Sequence, residues 1–185
     1  MRFVVLQLRR FPFVCALAVA SLAAATLEQM SLEALAREST AIVQGRVTGE
    51  RTVQAGPLLY TVKTIAVERR WKGSEAATVE VSLPGGTVAG QRQIFGGAPL
   101  LEPGRDYVLF LWTGPSGRTQ ITGLSQGVCE LEGAAGGEEH VVRRPSSDVV
   151  LAPGGAQAAG DGSLDLAFDE FSRRVEAALS GAAKP

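Results

Sequence analysis

The run Arg105-Asp106-Tyr107-Val108-Leu109-Phe110-Leu111-Trp112 carries apolar side chains on both faces of an extended chain from Tyr107 onward. Such a run fits a central strand buried on both sides, which needs partner strands at its edges and apolar layers above and below it. Tyr107 and Trp112 are accordingly expected in the core. Alternating runs elsewhere supply the partners. Ala41-Ile42-Val43-Gln44-Gly45-Arg46-Val47 reads as a strand in which Gly45 marks a bulge or a close backbone approach. Beyond a loop through Gly56-Pro57, the segment Leu58 to Glu68 puts Tyr60 and Val62 on one face and Ile65 and Val67 on the other, so a bend is expected near Lys63. Trp71-Lys72-Gly73 reads as a turn, followed by Thr78 to Leu83 with Val79, Val81 and Leu83 inward. Gly114-Pro115-Ser116-Gly117 reads as a hairpin turn after the central run, with Thr119 to Thr122 as its return strand, and Val128 to Leu131 and His140 to Val142 are further short strands. With 22 glycines and 9 prolines as punctuation, the chain reads as mainly β, a barrel of five to seven strands.

Two helices flank this barrel. Near its start, Met30 to Ser39 has Ser31 as cap, Glu33 in the first turn and an apolar stripe of Leu32, Leu35 and Ala36. At its end, Leu164, Phe168, Phe171, Val175 and Leu179 recur at helical spacing behind Ser163 as N-cap. That amphipathic helix is expected to close the open side of the barrel. Docking on a partner helix or a membrane surface is the alternative, but its polar face mixes acids with arginines, unlike a basic membrane helix.

Residues 1–25 differ from the rest. Arg2, Arg9 and Arg10 precede an apolar run from Phe11 to Ala20 and the small-residue stretch ending at Ala25. This is the pattern of a secretory signal peptide cleaved after Ala25, the apolar run being short of the roughly 20 residues that a retained anchor needs. The expected organisation is a signal peptide at 1–25, a β-barrel domain at 26–152, a Gly/Ala-rich linker at 153–162 and a helix at 163–180, in a secreted or periplasmic protein. Membrane contact is expected only through the signal peptide. Loss of Cys15 with that peptide leaves Cys129, so no internal disulfide is available. Cys129 lies beside Glu130 in a short alternating run and reads as a buried structural thiol.

From Ser39 to Trp112 the order of these elements resembles a known family. Ala41 to Val47, Tyr60-Thr61-Val62 running to Val67, Trp71-Lys72-Gly73, Val79-Glu80-Val81 and then Gly104-Arg105-Asp106-Tyr107-Val108-Leu109-Phe110 are similar to the netrin-module and tissue-inhibitor-of-metalloproteinase barrel, and to uncharacterised secreted bacterial proteins of similar layout. The resemblance implies a five-stranded OB-type barrel, which the short N-terminal helix and the C-terminal amphipathic helix read above would flank. Those inhibitors chelate a protease zinc through an N-terminal cysteine and carry several disulfides. Here the expected mature terminus is Thr26, so the barrel carries over and the inhibitory mechanism does not.

Composition narrows the chemistry. Eighteen basic against 19 acidic side chains give no electrostatic footprint for nucleic acid, and one histidine leaves few metal sites. No metal or cofactor is expected. Gly123-Leu124-Ser125-Gln126-Gly127 matches G-x-S-x-G, but a nucleophile elbow needs a strand-to-helix turn, and His140 follows only fifteen residues later. A small serine hydrolase using Ser125 and His140 is therefore the alternative, as is a carbohydrate-binding module with Trp71, Trp112, Tyr60 and Tyr107 as stacking candidates. The favoured expectation is a non-enzymatic module that meets a protein partner through the long loop Thr87 to Pro103, which includes a short strand around Arg92 to Phe95. Trp71, Lys72, Arg92 and Phe95 are its candidate binding residues.

Overall fold

The computed structural model describes residues 27–133, 138–144, 150–151 and 162–181. In chain order these form strand β1 (Leu27–Glu28), helix α1 (Leu32–Glu38), β2 (Ala41–Ala55), β3 (Leu58–Lys72), β4 (Thr78–Pro84), β5 (Gly86–Val88), β6 (Gln91–Gln93), β7 (Asp106–Thr113) and β8 (Thr119–Ile121). A 3-10 turn (Leu124–Gly127) then leads to β9 (Val128–Glu132), β10 (His140–Arg143), β11 (Val150–Leu151), β12 (Leu164–Ala167) and helix α2 (Phe168–Leu179). The expected signal peptide and nearly all of the linker expected at 153–162 lie outside the described residues.

The protein is mainly β. Its principal sheet runs β12-β10-β9-β7-β2-β3-β4, and β8 also pairs with β7. Strands β2, β3 and β4 form an antiparallel meander, and β7 returns by a long connection to lie beside β2. That spatial order, fourth-first-second-third, is a Greek key. On the other edge of β7, β9 pairs with residues 107–109 and β8 with residues 111–113, so the two share one edge end to end. The described ladders stop at β4 and β12, and none joins β4 to β8. The expected closed barrel is thus not seen; the sheet is open along this seam.

β7 separates two apolar layers. Val108 and Phe110 face Ile42, Cys129, Val141 and the buried sides of α1 and α2. Tyr107, Leu109 and Leu111 face Val43, Val47, Ile65, Val81 and Leu101 on the opposite side. The apolar run on both faces of this strand is therefore buried as expected through Leu111. Trp112 is the exception at 43% exposed, because the strand outruns the core there and its ring lies against Gly114 in the following turn.

Local chemistry fixes α1. Ser31 Oγ accepts a hydrogen bond from the Ala34 amide at 3.1 Å, and Leu32, Leu35 and Ala36 are buried. At the other end Lys72 Nζ donates to the carbonyls of Ala36 and Arg37 at 3.2 and 3.0 Å, which meets the electronegative helix terminus with a cation. Arg174 on α2 donates to Glu33 Oε1 at 2.7 Å and ties the two helices together.

Three local expectations are corrected. The segment after Val47 is a continuation of β2 to Ala55, joined to β3 by the two residues Gly56-Pro57, since the ladder to β3 holds it regardless of its polar composition. Trp71 and Lys72 end β3 and do not form a turn, because they continue the ladder opposite Ile42. Residues 164–167 are a strand against β10, so Ser163 does not cap α2; the helix starts at Phe168 behind Ala167, which gives no side-chain cap. Leu164 and Leu166 both pack on the helix-side core, the two-residue period of a strand.

Candidate functional site

The chain between β4 and β7 leaves the sheet at Pro84. Gly85 and Gly86 have φ of 100° and 149°, and a Cβ on Gly86 would come within 2.9 Å of the Thr52 and Thr61 side chains. Only glycine passes this close to the β2–β3 surface. β5 and β6 then form a small hairpin whose turn, Ala89-Gly90, has positive φ at both positions, 47° and 79°. Gln93 fastens it to the β2–β3 hairpin: its Oε1 accepts from the Leu59 amide and its Nε2 donates to the Pro57 carbonyl, both at 2.7 Å. The next anchor is Leu101, fully buried, with the Glu102 amide donating to the Tyr107 hydroxyl at 3.0 Å.

Between these anchors the chain presents apolar side chains to solvent. Ile94 and Leu100 are 75% and 76% exposed and Phe95 is 39% exposed. Two clefts lie under the loop. The larger, about 700 Å³, is lined by Arg92, Ile94, Phe95 and Leu100 on the loop and by Glu50 of β2 and Lys63 of β3. The other, about 620 Å³, lies in the seam between β4 and β8 and is lined by Trp112, Ile121, Gln120 and Glu38. Leu83, Pro84 and Pro99 belong to both, so the two clefts adjoin.

The structure divides the four residues singled out from sequence. Arg92 and Phe95 meet in the larger cleft. Trp71 packs instead on α2, its ring centroid 5.7 Å from that of Phe171 and 6.0 Å from that of Phe168, while Lys72 caps α1. The four candidate stacking aromatics are likewise dispersed: Tyr107 is buried, and Tyr60 lies under the Arg118 guanidinium, 4.1 Å from its ring centroid. Only Trp112 presents a half-exposed ring to a cleft. Sequence reasoning missed Lys63, which is 5% exposed and forms an ion pair with Glu50 at the cleft. Its one sequence signal was the change of apolar face within β3 at this position.

Ser125 sits in the 3-10 turn between β8 and β9, with no strand-to-helix elbow. His140 pairs across from Glu132, at the end of β9 remote from Ser125. The ends of β9 are four residue steps apart, about 13 Å, which is beyond any hydrogen bond between the two side chains. His140 Nδ1 lies 2.7 Å from Asp165 Oδ1 instead. Cys129 is buried, and burial pushes its thiol up to about 12, where nucleophilic thiolate is negligible near neutral pH. Among the described residues no three His, Cys, Asp or Glu side chains converge as metal ligands, and no helix is long and apolar enough to cross a membrane.

No protein-family model, curated protein or solved structure matches this chain, so its functional reading rests on its own residues.

Proposed function

We propose that this is an exported, non-enzymatic binding module that engages a protein partner through the 87–103 loop. One observation carries the reading: Ile94, Phe95 and Leu100 are three of the five large apolar side chains exposed among the described residues, and all three lie on one short stretch of that loop. Each exposed aliphatic costs solubility, and their concentration on one segment is what a partner-binding surface requires. Gln93 and Leu101 hold the stretch at both ends, which lowers the entropy to be lost on docking.

The OB-type architecture belongs to the same reading. Its support is the Greek-key order of β7-β2-β3-β4, with β8 lying against β4 on the side where such a barrel would close. Export is supported by the residue pattern of 1–25.

The test is affinity capture from the extracellular or periplasmic fraction of the source organism, with the protein and its Ile94→Ser/Leu100→Ser variant as baits. Both substitutions are at exposed positions, so stability should change by less than about 0.5 kcal/mol each. A protein captured by the parent and lost with the variant supports the module. Equal capture by both, or none by either, refutes docking through this loop.

A second reading draws on Trp112, whose half-exposed ring shares its cleft with Gln120 and Glu38, a combination suited to a sugar. Glycan binding abolished by Trp112→Ala would favour it.

A further inference from the structure

Lys63 is the least expected residue of the larger cleft. Its side chain is 6% exposed, yet the ammonium carries three N–H donors and meets one acceptor among the described residues, Glu50 Oε2. Glu50 is itself 54% exposed, so it can swing into solvent and release that position. Arg92, in the same cleft, is exposed and makes no hydrogen bond or ion pair with the described residues. Lys63 and Arg92 against Glu50 leave one net positive charge. Ile94, Phe95 and Leu100 also line this cleft, and its volume of about 700 Å³ lies within the range of small-molecule sites.

Charge and shape together define the ligand. One net positive charge matches a monoanion, whereas a phosphate dianion would face an uncompensated charge beside Glu50. The guanidinium fork of Arg92 fits a planar carboxylate in two-point contact, with the ammonium as a second, more buried donor. The apolar wall requires a hydrocarbon body attached to that group. We propose that this cleft is a binding site for a small amphiphilic carboxylate, its carboxylate at Lys63 and Arg92 and its apolar body against Ile94, Phe95 and Leu100. The cleft shares Ile94, Phe95 and Leu100 with the proposed partner surface, but its charged half, Lys63 and Arg92, is not used by that reading, so the two are tested separately.

The test is an NMR titration of the isotope-labelled full chain with octanoate, octanol, octylammonium and acetate. Octanoate should shift and saturate the amide signals around Lys63, Gly86 and Arg92. Octanol and acetate should bind at least about tenfold more weakly, each lacking one half of the recognition, and octylammonium should not bind there. Arg92→Gln should weaken octanoate by about two- to fivefold, as expected for loss of one exposed ionic contact. Glu50→Gln removes the competing carboxylate while keeping an acceptor for Lys63, and should tighten octanoate. Arg92→Gln alters an exposed side chain; Glu50→Gln removes the charge facing the buried Lys63, so its fold is checked from its amide spectrum first, and if it does not fold Arg92→Gln decides. Lys63→Met should abolish binding, and where it fails to fold the other two variants decide. Equal binding of octanoate and octanol, indifference to both variants, or no octanoate binding would overturn the site, whatever the outcome of partner capture.

Discussion

A Cβ atom placed on Gly45 would lie 2.2 Å from the carbonyl oxygen of Ala66 on the adjacent strand. The contact sits where β2 slips register against β3, between Gln44 and Gly45, and where β2 is also laddered to β7 through Tyr107. Neither neighbour can retreat without breaking a central ladder. Gly45→Ala should therefore cost about 1–3 kcal/mol, the usual price of overpacking a close-fitted interior. Chemical denaturation measures it; a loss under about 0.5 kcal/mol would mean that β2 shifts freely.

Cys129 should be inert in the folded chain. With its thiol pushed up to about 12 by burial, the nearby Arg143 charge opposing only in part, thiolate at about pH 8 is roughly one part in ten thousand, and the side chain is closed to reagent. Labelling with an aromatic disulfide, followed by peptide mapping to separate Cys129 from Cys15, should show modification only after denaturant is added. Rapid labelling of the native protein at Cys129 would show that β9 opens locally.

His140 links β10 to β12 through Asp165, and the chain has no other histidine. The hydrogen bond to Asp165, followed by the charges of Asp165, Glu138 and Glu132, raises its pKa above the ordinary 6.5 despite some desolvation. A folded value above the unfolded one means that the pair stabilises fully below the unfolded pKa and loses its effect as pH rises through the folded pKa. The single imidazole signal should titrate above 6.5 and move down in Asp165→Asn. That variant should be less stable than the parent near pH 5.5 and equal to it near pH 9. Equal stability differences at both pH values would assign Asp165 a purely packing role.

What could be read from sequence was whatever burial writes locally. Val108 to Leu111 read as a central strand because a short apolar run bounded by turn residues fits an element buried on both faces, and both faces are indeed buried. Gly45 announced its bulge because no side chain fits there. The polar run from Thr48 to Ala55 hid a strand, since long-range hydrogen bonds to β3 hold it and leave no periodic apolar trace. Leu164 joined a helical spacing with Phe168 by coincidence: the pairing of residues 164–167 with β10 is also non-local. Of the clefts, Arg92 and Phe95 were visible through loop length and Trp112 only as one of four stacking candidates otherwise expected in the core, whereas Lys63 was not visible. Whether a lysine in an apolar strand is buried, or a tryptophan beyond it exposed, depends on what the fold places opposite them.

The C-terminal helix offers the strongest test of what holds the protein together. An amphipathic helix behind a Gly/Ala-rich segment can be an appended docking element or part of the core, and the two differ in the consequence of losing one ring. Phe171 is fully buried, in edge contact with Trp71 at 5.7 Å and with Phe110 at 6.2 Å between centroids, so it bridges the end of β3 and the centre of β7. Phe171→Ala should cost roughly 3–5 kcal/mol, a large part of the stability of an ordinary domain. It should also expose Trp71, which a Trp112→Phe background isolates as the sole fluorophore of its type, with emission moving to longer wavelength in the variant. A loss under about 1 kcal/mol with unchanged Trp71 emission would make α2 dispensable to the core and leave its apolar face free for a partner. The expected result places that face inside the molecule, away from the exposed apolar side chains of Ile94, Phe95 and Leu100 on the loop between Gln93 and Leu101.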